Sequence, residues 1–108
     1  MSAPLLVLTT FADAPAAEAA VRALVNERLA ACGTLIPGAV SIYRWKEAVE
    51  RADEVVVVLK TRPALWGSLR DRLRALHPYE TPEIVALPAS DAGAAYAAWV
   101  NEATDGPA

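Results

Sequence analysis

Val55-Val56-Val57-Val58-Leu59 is the stretch on which the fold turns. Five consecutive apolar residues, four of them β-branched valines, are too few for a buried helix and suit a strand. A strand with helices on one side and water on the other alternates apolar with polar side chains. This one does not alternate, so both of its faces are expected to be covered.

Ahead of it, Leu35 to Trp45 carries Ile36, Val40, Ile42, Tyr43 and Trp45, a β-branched and aromatic set that predicts a second strand. Pro37-Gly38 interrupts this strand and predicts a bend or bulge near its start. The polar residues from Lys46-Glu47 to Arg51-Ala52-Asp53 predict the chain reversal, making Val40 to Thr61 one long antiparallel hairpin.

After the hairpin, Thr61-Arg62-Pro63 reads as a helix start, and Leu65, Leu69, Leu73 and Leu76 share one helical face. Pro78 stops that helix at His77. Ile84-Val85-Ala86-Leu87 predicts another strand, ended by Pro88. Ser90-Asp91 is expected to cap a last helix with Tyr96, Trp99, Val100 and Ala103 on its apolar side, and Thr104 to Ala108 to fray. At the other end, Leu5 to Thr10 reads as a short buried strand. Asp13 then offers an N-cap and Pro15 a first-turn proline to a helix over Ala16 to Ala31, with Ala17, Val21, Leu24, Val25 and Leu29 at helical spacing and Gly33 at its close.

The order strand, helix, strand, strand, helix, strand, helix predicts an α+β fold: a ferredoxin-like, split βαβ sandwich with an extra C-terminal helix. A chain of 108 residues fits one domain, 1–108. The two crossover helices cover one sheet face and the last helix only part of the other. The uncovered apolar face predicts a closed homo-oligomer; the alternative is a last helix that covers the face alone.

Composition bounds the function. The hydrophobic share of 55% supports a core, and a net charge of −3 without a basic stripe excludes a non-specific nucleic-acid or anionic-membrane binder. The lone Cys32 builds no internal disulfide and no cysteine zinc site, and it reads as a small buried hydrophobe at a helix end. No apolar run is long enough to cross a membrane, and Met1 to Pro4 carries no basic leader, so a cytoplasmic location is expected.

Chemistry concentrates in His77-Pro78-Tyr79-Glu80-Thr81-Pro82-Glu83, which holds the only histidine and two of the eight prolines. His77 reads either as a metal ligand helped by Glu80 and Glu83 or as a helix-terminal histidine facing the last carbonyls. Tyr43, Trp45 and Tyr79 read as an aromatic pocket or as packing. Lys60, at the end of the most buried strand, is expected to snorkel, to meet Glu80 or Glu83, or to hold a small anionic ligand. No nucleophile–base–acid set is recognisable, so no enzyme is expected.

Five segments in this order resemble the CutA divalent-cation tolerance family over nearly the whole chain: Glu27-Arg28-Leu29-Ala30-Ala31-Cys32, Ile36-Pro37-Gly38-Ala39-Val40-Ser41-Ile42-Tyr43-Arg44-Trp45, Leu59-Lys60-Thr61, His77 to Ile84, and Tyr96 with Trp99. The resemblance implies a ferredoxin-like subunit in a homotrimer similar to the PII signalling proteins. It also implies a role in the response to copper and other divalent metals, with copper or another divalent metal ion as a candidate cofactor. It gathers Cys32, Ser41, Tyr43, Trp45, Lys60, His77, Tyr79 and Glu80 in clefts between subunits, with His77 as the metal-ligand candidate. Two departures stand out. Glu47 occupies a place where the family usually has glycine, and Thr9, Leu76 and His77 stand where some members have a cysteine and two histidines proposed to bind copper. A small-molecule-binding signalling trimer and a structural assembly protein are the alternative readings.

Overall fold

The structure, a computed structural model, describes residues 3–106. The all-apolar stretch lies in β3 (Ala48–Thr61), which pairs antiparallel with β2 (Cys32–Trp45) on one side and β1 (Leu5–Phe11) on the other. Strand β4 (Val85–Pro88) joins the far edge of β1, giving a four-stranded antiparallel sheet ordered β2-β3-β1-β4. Helices α1 (Ala14–Asn26) and α2 (Trp66–Leu76) are the two crossovers, and α3 (Ala94–Ala103) is appended. This is the expected ferredoxin-like order.

Period-2 alternation sorts the strands into two faces. Leu5, Val7, Phe11, Val55, Val57 and Leu59 meet Ala17, Leu24, Leu69 and Leu73 in one core. Leu69 and Leu73 are fully buried, and at roughly 1.5–3 kcal/mol per buried leucine they dominate the docking of α2. A paired guanidinium reinforces the seam between the helices: Arg72 Nε and Nη2 each donate to a Glu27 carboxylate oxygen at 2.9 Å.

Helix α1 starts as its sequence predicts. The Asp13 carboxylate accepts the Ala16 N–H at 2.8 Å, and proline occupies the first turn. Replacing Asp13 with Ala is expected to cost about 1 kcal/mol, a Tm fall of about 5 °C at fixed protein concentration, checked by thermal unfolding. The helix ends earlier than expected. Arg28 takes the left-handed conformation (φ 60), with Arg28 N–H on Val25 O and Leu29 N–H on Leu24 O, a Schellman closure without glycine. Gly33 is therefore not the cap; it belongs to β2. Cys32 correspondingly opens a strand, half-buried, rather than closing a helix.

The hairpin also differs from expectation. Val49 to Asp53 is paired strand, not loop, and the reversal is the two-residue turn Lys46-Glu47, with Lys46 at φ 57. Residues 46–51 are all exposed, so no core demands apolar residues there and polarity is no sign of a loop. The Pro37-Gly38 irregularity is present as a register shift between Ile36 and Ala39.

Helix α3 is capped by Gly93 without a side-chain bond, while Asp91 closes a local turn onto Ala92 N–H. Ala97 and Val100 are its buried residues; Tyr96 and Trp99 stay 43% exposed. Thr104, expected to fray, is buried: its hydroxyl donates to Val100 O, and its carbonyl accepts from Arg62. Residues 107 and 108 lie outside the described residues. The helix sits over one end of the second sheet face, where Tyr96 meets Cys32 at 3.6 Å. Leu6, Leu8, Val56 and Val58 are left half-buried on that face, next to Val85 and Leu87 at 44% exposure.

Candidate functional site

The site begins where α2 stops. His77 leaves helical geometry (ψ 133), and its ring turns inward to stack on Phe11, centroids 4.2 Å apart. Its Nε2 lies 2.7 Å from Thr10 O, and the Tyr79 N–H reaches its Nδ1 at 3.2 Å. A carbonyl only accepts and an amide N–H only donates, so Nε2 carries the proton and Nδ1 the lone pair. Burial pushes the His77 pKa below its usual 6.5, against the opposing pull of the Thr10 carbonyl and Glu54. The ring is a neutral pin between β1 and the following loop.

Pro78 and Pro82 then lead the chain across the end of the sheet. The Tyr79 ring leans on His77, centroids 4.7 Å apart, and its hydroxyl donates to Glu54 Oε2 at 2.7 Å. Glu54 is 8% exposed. Burial works to raise its pKa, yet the hydroxyls of Ser41, Tyr79 and Thr10 outweigh burial and the net shift is downward. The Tyr79 hydroxyl is pushed up, by burial first and by Glu54 next. A buried carboxylate is thus held ionised at the base of the hairpin.

Around it opens a cleft of about 670 Å3. Ser41, Tyr43 and Trp45 of β2 form one wall, Thr10 and Glu54 the floor, and the segment from Tyr79 to Glu83 the other wall. Five of the residues expected in a cleft come together here: Ser41, Tyr43, Trp45, Tyr79 and Glu80. Cys32 and Lys60 face each other across β2 and β3 at the opposite end of the sheet. Six residues of strand separate Lys60 from Glu54, about 20 Å. Lys60 therefore does not reach Glu80 or Glu83 in its own subunit; its ammonium donates to the Thr34 hydroxyl. The neighbouring Tyr96 hydroxyl is pushed up to about 12 by burial and by Cys32.

Glu54 was not among the sequence candidates. It stands between a polar hairpin and the valine run, where a glutamate reads as solvated. Its signal was position: one residue before five apolar ones, on the strand that pairs on both sides.

His77 lies beneath the cleft, with both ring nitrogens engaged inside the chain. A metal ion reaches it only by displacing Thr10 O or the Tyr79 N–H. Among the described residues no group of three or more His, Cys, Asp or Glu side chains is placed to hold a metal ion. Thr9, which stands where some members of the resembling family have cysteine, points into the core, and its hydroxyl has no partner among the described residues. Replacing Thr9 with Val is expected to stabilise the protein by about 1 kcal/mol, because the unbonded hydroxyl leaves and the shape stays; urea unfolding checks it.

Comparisons with known proteins bear on the family and the fold. A family model described as CutA1 divalent ion tolerance protein matches residues 5–103. The divalent-cation tolerance protein CutA of Thermus thermophilus is 42% identical over 99 residues, which span 92% of this chain and 96% of that protein. The crystal structure of CutA from Xylella fastidiosa matches with TM-score 0.93 at 42% identity, over 96% of this chain and 100% of that one. The structure described as the periplasmic divalent cation tolerance protein CutA from Archaeoglobus fulgidus matches with TM-score 0.91 at 28% identity, over 94% and 99%.

Proposed function

Because the chain belongs to the CutA1 divalent ion tolerance family, we propose that it takes part in the tolerance of divalent metal ions as a homotrimer working through clefts between its subunits. One observation carries this reading. The residues expected to share a cleft are divided between two ends of one sheet, Ser41, Tyr43, Trp45, Tyr79 and Glu80 at one and Cys32 and Lys60 at the other. They meet only if a second copy brings its Lys60 end to this copy's Glu54 end. The half-covered apolar face supplies the surface for that packing.

Size-exclusion chromatography with light scattering tests it. The expected mass is that of three chains, and Leu8→Glu, which places a charge between Val58 and Val85, is expected to yield monomers. A wild-type monomer overturns the trimer and the shared cleft together.

Direct metal binding is a separate question. Copper and zinc titrated calorimetrically into tag-free protein and into His77→Ala, below the unfolding temperature of both, decide it. Similar weak heats are expected, since both imidazole nitrogens are already bonded. Heats that vanish in the variant assign His77 as a ligand.

We read the protein as non-enzymatic. Ser41 faces Glu54, but a carboxylate with a lowered pKa is a poor base for a serine hydroxyl. The lone Cys32 fits a reducing compartment such as the cytoplasm. The size of the cleft favours one second reading, a signalling trimer that binds a small molecule. Mass spectrometry of ligands that co-purify with the protein separates it from the first.

A further inference from the structure

The cleft has a charge of one sign. Glu54, Glu80 and Glu83 line it, and no lysine or arginine does. Glu54 is more than nine-tenths buried, and among the described residues no Lys or Arg pairs with it. Buried charges are ordinarily matched by an opposite charge. The three hydroxyls around Glu54 lower the cost of its burial, but they leave its negative charge uncancelled. Lys60 of a second copy would bring one positive charge against three carboxylates, and two would remain unmatched. A small anion is therefore repelled by the residues that form the walls.

The walls are also aromatic. Tyr43, Trp45 and Tyr79 line the same space. Ring faces attract ammonium groups, most strongly for tryptophan. The chain already uses this attraction, since the Lys46 ammonium sits 5.7 Å from the centroid of the Trp45 ring. A carboxylate floor, aromatic sides and a volume of about 670 Å3, far more than a bare ion fills, match one ligand chemistry.

We infer that the cleft binds a small organic cation, an amine or quaternary ammonium, with its charged head against Glu54 and its methylene or methyl groups against Tyr43, Trp45 and Tyr79. The inference rests on the shared-cleft reading above and names its ligand class. Glu80 and Glu83, exposed at the rim, steer the cation inward.

The test uses choline and putrescine as probes, titrated into the purified full chain and followed by calorimetry and Trp fluorescence. Zinc alone and acetate serve as comparison arms, and light scattering runs on every sample. Saturable binding of either amine is expected. Glu54→Gln should weaken it about tenfold or more, and Trp45→Leu several-fold, at unchanged oligomeric mass. Glu80→Gln should act mainly through salt sensitivity. A trimer that binds neither amine, or binds them equally well after Glu54→Gln, overturns the ligand class and leaves the assembly standing. Acetate binding overturns the charge argument. Glu54-dependent zinc binding without amine binding makes the cleft a metal site instead. A monomer overturns the shared-cleft reading itself.

Discussion

Replacing His77 with Ala is expected to lower stability by about 3 kcal/mol, combining lost packing with two buried groups left unpaired. The ring fills the space beside Phe11, receives the Tyr79 N–H and donates to the Thr10 carbonyl. Its removal strands that amide and that carbonyl where water has little access. The variant should also lose part of the acid sensitivity. Because burial depresses the His77 pKa below 6.5 in the folded state, the unfolded chain binds a proton that the folded chain refuses. The sign follows: stability is full above the unfolded value near 6.5 and falls as pH drops through 6.5 toward the folded pKa. Glu54 adds a second, lower step. Its pKa is depressed from 4.5, so its contribution is present above 4.5 and is lost as pH falls through the folded value. Urea unfolding at about pH 7.5 and about pH 5.5 separates the two, since only the histidine step lies between them. An unchanged difference between these pH values in His77→Ala would contradict the assignment of a neutral, pinned imidazole.

The second large effect belongs to Gly33. A Cβ built there would lie 2.7 Å from Val21 Cγ1 and 2.9 Å from Leu59 Cδ2. Val21 is β-branched and stiff, and Leu59 is fully buried, so neither yields cheaply. Gly33→Val should lift α1 from the sheet and cost about 3 kcal/mol, at the upper end for overpacking. Gly93→Ser is the control: nothing lies within 4 Å of a Cβ there, and serine at a helix N-cap is at worst neutral. Similar losses in both variants would show that steric crowding at the α1 seam is not the cause. Because the unfolding of any oligomer depends on concentration, the variants are compared at one protein concentration.

Residue by residue, legibility followed the range of the interaction. Asp13, Pro15, Pro37-Gly38, Leu69 and Leu73 act within a turn or along one helical face, and their roles were readable from spacing. The close of α1 was not, because Arg28 takes a conformation that glycine usually occupies. The resemblance grouped eight residues; the geometry brings Ser41, Tyr43, Trp45, Tyr79 and Glu80 into one cleft and leaves Cys32, Lys60 and His77 outside its lining. Residues 48–53 were misread as loop because polarity marks solvent, not the absence of strand pairing. Glu54 was missed for the same reason. Its burial comes from Tyr79, twenty-five positions away in sequence, and no local pattern encodes such a contact.

Val55 to Leu59 determined by composition alone that a central strand exists. With the order of the other elements, that was enough for the ferredoxin-like sheet, since connection rules leave few alternatives. The tertiary structure alone decided which carboxylate is buried, which way the His77 ring donates, and that the Lys60 ammonium bonds Thr34 while Glu54, about 20 Å away along the same strand, lines the cleft. The physical reason is that backbone periodicity is local, whereas burial and charge pairing depend on which distant side chains the fold brings within a few ångströms.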